Sequence, residues 1–473
     1  MSRKLCHITA VLMIVSIVIT GCGGRKTHEY PSDREAVLDH KGITISNNIA
    51  ADEGSILTCA AGYEKKGSKK ALVQDMDGAS EFYVIDVETD EPVFDGKVKY
   101  KKDTAGDEET VGICDLTLFD GTGSFYIRVN TGRVSNVFTI EENIYKRLLS
   151  DRMSSLGEDS SVTSGHTEEN IGACYMRITD YLLAQEFFPD SISPVVSDKT
   201  RIIPRTTLLA KSEIDALRDC VREDGSLKAP FEEDLSAQYL YCAIFALFAY
   251  EYREYDNKYS RECTDIAEKV YDTAKEKYQK SALSDKKAVD DKRYWASAQL
   301  YKLTGKPGYR EAAESYISET PTGWNEDSCG YLGTLAYLTC YNRIDLDLSG
   351  QLVSKLMDDI NEVVRESFKG DYLVSEDEIK KANENATEVD DSVIDKLYEN
   401  ARLTVLGNYI SKNIKYVECG ENHLAYLYGR NLLGKDYAYA PDAEYYDEPQ
   451  MFILAGLIDS YIYEDKEPEA MEK

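Results

Sequence analysis

Carboxylates dominate the side chains able to do chemistry: 85 Asp and Glu stand against 55 Lys and Arg in 473 residues, a formal net charge of -30. Acid–base work at a scissile bond needs two of them on opposite sides of a substrate, so abundance alone selects none. The charge does exclude a class of partner. A polyanion is gripped by clustered Lys and Arg, and nucleic acid is therefore not expected. Trp324, in Pro321-Thr322-Gly323-Trp324-Asn325, could offer an indole face to a sugar ring or anchor its own loop. The 35 Tyr present the same choice between sugar platform and core–surface bridge. His166 and His423 are the only histidines beyond residue 144, and a lone His is ordinarily a satisfied core or surface residue. Cys59, Cys114, Cys174, Cys220, Cys242, Cys263, Cys329, Cys340 and Cys419 are scattered singly, without a Cys-x-x-Cys pair, so neither a zinc nor a redox site follows. Cys242, beside Ile244 and Phe245, reads as a small buried hydrophobe. No ligand spacing points to a metal, and no cofactor is expected.

At the N-terminus, Arg3 and Lys4 precede an apolar run from Ile8 to Ile19 that ends Ile19-Thr20-Gly21-Cys22. A positive start, a short apolar core and small residues before a cysteine describe a bacterial lipoprotein export signal, too short for an ordinary spanning helix. Residues 1–21 are expected to be removed, leaving Cys22 lipidated and the protein exported and anchored to the cell membrane or surface. Residues 22–42 read as a polar tether.

The elements that must position any site fall into two periods. From Ile43 to Ile140 short apolar or alternating runs predict strands near 82–87, 93–94, 98–100, 113–119, 125–129 and 137–140, at β-sandwich spacing. Asp77-Gly78, Asp95-Gly96 and Asp120-Gly121 read as the turns between them. Beyond about Ile144 the period becomes helical and is expected to stay so to the end. Apolar positions three and four apart predict helices at 235–249 and near 171–187, 212–222, 259–279, 289–303, 309–317, 329–341, 351–367, 391–411, 421–430 and 449–463. Roughly a dozen helices joined by short loops fit an α/α toroid of six hairpins, and the lack of a fixed-period repeat argues against a solenoid.

Four motifs in order carry a resemblance. Gly62-Tyr63 with Lys69-Lys70-Ala71 is similar to an opening strand, and Gly123, Tyr126, Val129, Ser135, Phe138 and Ile140 to a final hairpin. Tyr294-Trp295-Ala296-Ser297-Ala298-Gln299-Leu300-Tyr301-Lys302-Leu303-Thr304-Gly305 resembles a helix signature. His423 to Tyr437, HLAYLYGRNLLGKDY, resembles a Tyr-x-x-Gly-x-Asn-x-x-Gly-x-x-Tyr element. Together they resemble glycoside hydrolase family 9, endoglucanases with an immunoglobulin-like domain before an (α/α)6 barrel. The resemblance implies an immunoglobulin-like β-sandwich over 43–141 and an (α/α)6 barrel over 142–465, and the acidic run Glu464-Asp465-Lys466-Glu467 leads into an expected disordered tail over 466–473.

The same resemblance selects the carboxylates. The family takes its catalytic base from an Asp-Ala-Gly-Asp motif early in the barrel. The matching place here reads Ser164-Gly165-His166-Thr167-Glu168-Glu169-Asn170, with Thr167 and Asn170 where the aspartates belong, and an Asn amide cannot accept the proton. Glu168 and Glu169 could replace the base from adjacent positions, or simply be acids beside a helix N-terminus. Thr104-Ala105-Gly106-Asp107 imitates the motif within a charged loop of the β domain and reads as a turn. The family's acid opens a last helix, and Glu448 precedes Ala455-Gly456-Leu457 at that spacing, with Leu454 in place of an Asn. It can equally be a first-turn glutamate ahead of Pro449. Between Tyr437 and Glu448 the chain is too short for the family's His-His-Arg stretch, which grips the sugar. Trp324 and Tyr437 remain candidate sugar contacts. The leading expectation is a surface lipoprotein that binds a β-linked, β-glucan-like polysaccharide with degraded or absent hydrolysis. Alternatives are a weak inverting hydrolase using Glu448 with Glu168 or Glu169, and a structural or adaptor protein of the envelope.

Overall fold

The computed structural model describes residues 56–74, 78–102, 109–158, 171–192, 194–197, 201–320, 328–375, 391–431, 433–438 and 450–462. They divide between two compact units, one built from 23–149, 360–448 and 460–473, the other from 150–359 and 449–459.

The first unit begins with nine strands: β1 (Ile56–Leu57), β2 (Tyr63–Glu64), β3 (Lys70–Gln74), β4 (Glu81–Asp86), β5 (Pro92–Lys97), β6 (Lys99–Lys102), β7 (Glu109–Asp115), β8 (Gly123–Val129) and β9 (Phe138–Glu141). They form two sheets, ordered β1-β3-β7-β6 and β2-β9-β8-β4-β5. Alternation explains the core. Along β8, Phe125, Ile127 and Val129 are buried while Tyr126 and Arg128 are half-exposed, as a pleat with one wet face requires. The closing-hairpin serine holds its strand from outside the ladder, since Ser135 Oγ accepts the Ile127 N–H at 2.9 Å. One expected turn is instead a strand. Asp95-Gly96 lies inside β5, with Gly96 opposite Phe82, and a Cβ on Gly96 would stand 2.5 Å from the Phe82 ring. The glycine is there to admit an aromatic ring, a use that imitates a turn signal.

Twelve α-helices follow among the described residues: α1 (Ile144–Glu158), α2 (Ile171–Phe187), α3 (Arg205–Arg218), α4 (Leu235–Tyr252), α5 (Asn257–Lys280), α6 (Leu283–Thr304), α7 (Pro307–Glu319), α8 (Ser328–Leu338), α9 (Leu346–Lys369), α10 (Asp391–Ile410), α11 (Ile414–Leu427) and α12 (Met451–Ile462). Among the described residues one strand pair interrupts the helical stretch. Strands β10 (Pro194–Ser197) and β11 (Arg201–Pro204) pair antiparallel, Val195 opposite Ile203. Their β-branched pairs are too short to break a helical period read from sequence.

In the second unit α4 is buried on every side from Ala237 to Tyr250, which makes it a central helix rather than an amphipathic one. The Tyr294–Gly305 signature is α6 and its cap. Tyr294, Trp295, Ala296, Ala298 and Leu300 are buried, and Gly333 of α8 admits Tyr294, where a Cβ would come within 2.6 Å of the ring. Gly305 ends the helix at φ 71 with its N–H on the Tyr301 carbonyl, a left-handed cap that favours glycine. Back in the first unit, Leu373 is held at φ 61, where a leucine is strained by about 1 kcal/mol or more. Its side chain is buried against Leu57, Leu72 and Val111 of the sandwich, which offsets that strain.

Candidate functional site

The HLAYLYGRNLLGKDY stretch forms the end of α11 and the turn after it. Gly429 at φ 94 and Gly434 at φ 61 reverse the chain, so that Tyr428 bridges Asp436 and the Tyr437 N–H reaches the Leu427 carbonyl at 2.8 Å. Asn431 locks the turn with all of its hydrogen-bonding capacity. Its amide donates to the carbonyls of Tyr426 and Lys435, both at 2.7 Å, and its oxygen accepts the N–H groups of Leu433 at 3.2 Å and Lys435 at 3.1 Å. Arg430, buried, donates to the Lys70 carbonyl at 3.2 Å and to the Asn422 carbonyl and side chain at 3.1 and 3.0 Å. The Ala60 N–H closes the joint on the Tyr428 carbonyl at 2.7 Å. The glycines, Asn431 and Arg430 of the signature serve this turn and its joint with the sandwich. The presence of the signature therefore reports fold and says nothing of catalysis.

Beside the joint lies a buried carboxyl that local pattern could not single out. Glu421 of α11 accepts the Ser68 N–H at 2.9 Å and the hydroxyls of Tyr145, at 2.9 Å, and Tyr461. Burial pushes this carboxyl up to about 7, against the opposing pull of those three donors. A value near neutrality is what a general acid or base requires. Glu421 is nevertheless only 6% exposed, and its donors are a strand-loop amide, the buried Tyr145 and the half-buried Tyr461, so its role is to pin. Lys69, nearby and fully buried, donates to the carbonyls of Lys65 at 2.5 Å and Gly67 at 3.1 Å. Burial pulls its ammonium down to about 8. His423 donates from Nδ1 to the Cys419 carbonyl at 2.8 Å, and burial lowers its imidazole to about 4, so it is neutral and holds its helix rather than a ligand.

Of the candidate site residues, Tyr437 lies within the described residues, and it is 4% exposed. Lys435 Nζ sits 5.6 Å from its ring centroid. A ring so enclosed cannot present a face to a sugar, so the core alternative replaces the sugar-contact reading for this residue. Thr167, Glu168, Glu169 and Asn170, which precede α2, lie outside the described residues, as do Glu448, Trp324, Cys22, His166 and the Thr104–Asp107 motif. The helices that follow Asn170 and Glu448 in the sequence are described, and they meet in the second unit. Asp180 of α2, 1% exposed, accepts the N–H of Met451 at 2.8 Å and of Phe452 at 3.2 Å, the first two residues of α12. Phe452 packs on Phe187 and Phe188, with ring centroids 5.9 and 5.1 Å away. Leu454, standing where the family has Asn, is buried. Nothing in the local pattern around Asp180 marks it, because its partners lie 271 and 272 residues away in sequence. No cluster of metal-ligating side chains occurs among the described residues.

Comparison with known proteins converges on one family. The profile described as "Glycosyl hydrolase family 9" matches residues 220–456, and that of "Cellulase N-terminal ig-like domain" matches residues 56–133. No curated protein matches the chain by sequence. Among solved structures, a metagenome-derived glycoside hydrolase family 9 endoglucanase is similar at 15% identity and TM-score 0.68, over 85% of this chain and 98% of that one. A single-mutant thermostable endoglucanase from Alicyclobacillus acidocaldarius is similar at 16% identity and TM-score 0.66, over 86% and 99%. A family 9 protein from Bacteroides ovatus is similar at 15% and 0.66, over 86% and 99%. Identities this low carry the fold, an immunoglobulin-like sandwich followed by an (α/α)6 barrel. With half of its length matched by the hydrolase profile and its N-terminal sandwich matched by the companion profile, the chain belongs to glycosyl hydrolase family 9.

Proposed function

We propose that this protein is a lipid-anchored envelope member of the family that grips a β-linked, β-glucan-like polysaccharide and hydrolyses it slowly or not at all. One feature of the sequence supports the reading: in Ser164-Gly165-His166-Thr167-Glu168-Glu169-Asn170, Thr167 and Asn170 fall where we place the aspartates of the family's base motif. Inverting hydrolysis requires a carboxylate to take the proton of the attacking water, and neither a hydroxyl nor an amide can do so near neutral pH. The shortened stretch between Tyr437 and Glu448 supports the same conclusion, since it leaves no room for the family's sugar-gripping histidines and arginine. Anchoring rests on Cys22 at the end of the export signal, where acyl chains together give a stable hold. Cys22→Ser should move the protein to a soluble fraction. Continued partition with membranes, with residues 1–21 still attached, would refute the anchor.

The rival reading is a weak hydrolase, favoured by Glu448 standing at the family's spacing before Ala455-Gly456-Leu457. Loss of general-base assistance is worth about a hundredfold to ten-thousandfold in rate. Reducing-end release from a panel of soluble β-glucans, with affinity measured on the same panel, separates the two. Binding with near-background release supports the proposal. Robust turnover abolished by Glu448→Gln and by a Glu168→Gln, Glu169→Gln double variant would replace it with the hydrolase.

A further inference from the structure

We propose that the second unit contains a binding site for one internal water, held between α2 and α6 by Gln299, Glu186 and Thr179. Side chains of α2, α4, α6 and α8, all within residues 150–359, line a cavity that leaves about 10 Å3 for the centre of a water molecule. A single water needs about that much room, together with two to four polar partners. Most of the wall is apolar, with Leu183 of α2, Leu247 of α4, Trp295 of α6 and Leu332 of α8 among its members. A wholly apolar cavity of this kind stays dry. This one also receives the polar side chains of Thr179, Glu186, Gln299, Lys302 and Thr339, and their hydrogen bonds do not close among themselves.

Lys302 spends its ammonium protons elsewhere. It pairs with Glu186 Oε1, donates to Thr339 Oγ1 at 2.8 Å and stands 4.7 Å from the centroid of the Tyr250 ring. Thr339 gives its own proton to the Leu335 carbonyl at 2.7 Å. Two groups are left over. The side-chain nitrogen of Gln299, a residue 2% exposed, and Glu186 Oε2 are both shielded from solvent, and neither has a partner in the protein. One is a donor and the other an acceptor, so a direct bond would satisfy both, and the structure does not make it. A water in the cavity does, because it accepts from the amide and donates to the carboxylate. Its second proton goes to Thr179. That hydroxyl already donates to the carbonyls of Tyr175 at 2.5 Å and Met176 at 2.8 Å, so it has acceptor capacity to offer. The water then makes three hydrogen bonds, the usual number for an internal site. It also removes the cost of a buried amide and a charged oxygen left without partners.

The first test is a high-resolution crystal structure of the full chain. A density peak within about 2.7–3.2 Å of Gln299 Nε2, Glu186 Oε2 and Thr179 Oγ1 is expected. A direct Gln299–Glu186 hydrogen bond with no peak between them overturns the site. So does xenon occupying the cavity under gas pressure, since that is the behaviour of a dry apolar void. Oxygen-17 magnetic relaxation dispersion counts the same water in solution, where waters of long residence are distinguished from the surface layer. The double variant Gln299→Met, Thr179→Val keeps the side-chain volumes and leaves the water one partner. Its count of long-lived waters should fall by one relative to wild type, and an unchanged count overturns the proposal. Should the double variant fail to fold, Gln299→Met alone removes one hydrogen bond and should shorten the residence time of that water about tenfold. An unchanged residence time then counts against the site as decisively as an unchanged count.

Discussion

Two buried titrating groups on α11, two residues apart, act on stability in opposite senses. Glu421 has a folded value of about 7 against an ordinary 4.5, so the native state holds its proton more tightly than the unfolded chain. That contribution is fully present below pH 4.5 and is lost as pH rises through about 7, on the order of 3 kcal/mol in all. His423 has a folded value of about 4 against 6.5. Its contribution is present above pH 6.5 and is lost as pH falls toward 4. The two slopes overlap and offset, so the wild-type stability profile should be flatter between pH 4.5 and 6.5 than either group alone would make it. Glu421→Gln mimics the protonated carboxyl and removes the descending slope. Its stability by urea denaturation should match wild type near pH 5 and exceed it above pH 7. A variant that tracks wild type at constant offset from pH 5 to 8 would show that Glu421 stays ionised in its cage.

Among elements, the α11 turn owes its stability to one side chain. Asn431 satisfies two carbonyls and two amides, and no other residue type offers two donors and a doubly accepting oxygen in that space. Asn431→Ala should cost about 2–4 kcal/mol, since buried backbone groups lose their partners. Asn431→Asp should cost at least as much, because its oxygens would face the carbonyls of Tyr426 and Lys435. Chemical denaturation reads both, and a loss under 1 kcal/mol for either would mean that water replaces the amide. Element existence was legible here and at α6, because the Tyr-x-x-Gly-x-Asn and Trp-Ala signatures are short-range. The start of α3 was not, lying at Arg205 rather than near 212, since the apolar residues before Ser212 are one contiguous Leu208-Leu209-Ala210 cluster after Thr206-Thr207, which carries no period by itself.

Across the whole molecule, the sandwich is not an autonomous bead ahead of a barrel. Its compact unit includes residues 360–448, tied by the Lys70–Glu418 ion pair, the Glu421 cage, Arg430 and the Leu373 cluster. A fragment ending at Asn143 lacks all four, so it should melt well below the corresponding transition of the full chain, which should unfold its sandwich and α10–α11 together. Calorimetry of both decides it. A fragment folding at the full-length midpoint would show these contacts to be incidental.

From sequence alone came the change of period near residue 144, six of the nine sandwich strands, most helices, the family resemblance, and the proposal that Thr167 and Asn170 replace the family's aspartates. All of these are carried by neighbours within a turn or two of chain, where side-chain period and turn chemistry act. The tertiary structure decided what long separations control. Gly96 became a strand residue under a phenylalanine ring, Tyr437 became core, Glu421 acquired a near-neutral carboxyl, and Asp180 became the acceptor for α12. The physical reason is shared, since burial and hydrogen-bond partners depend on which distant segments are brought together, and Asp180 meets Met451 across 271 residues.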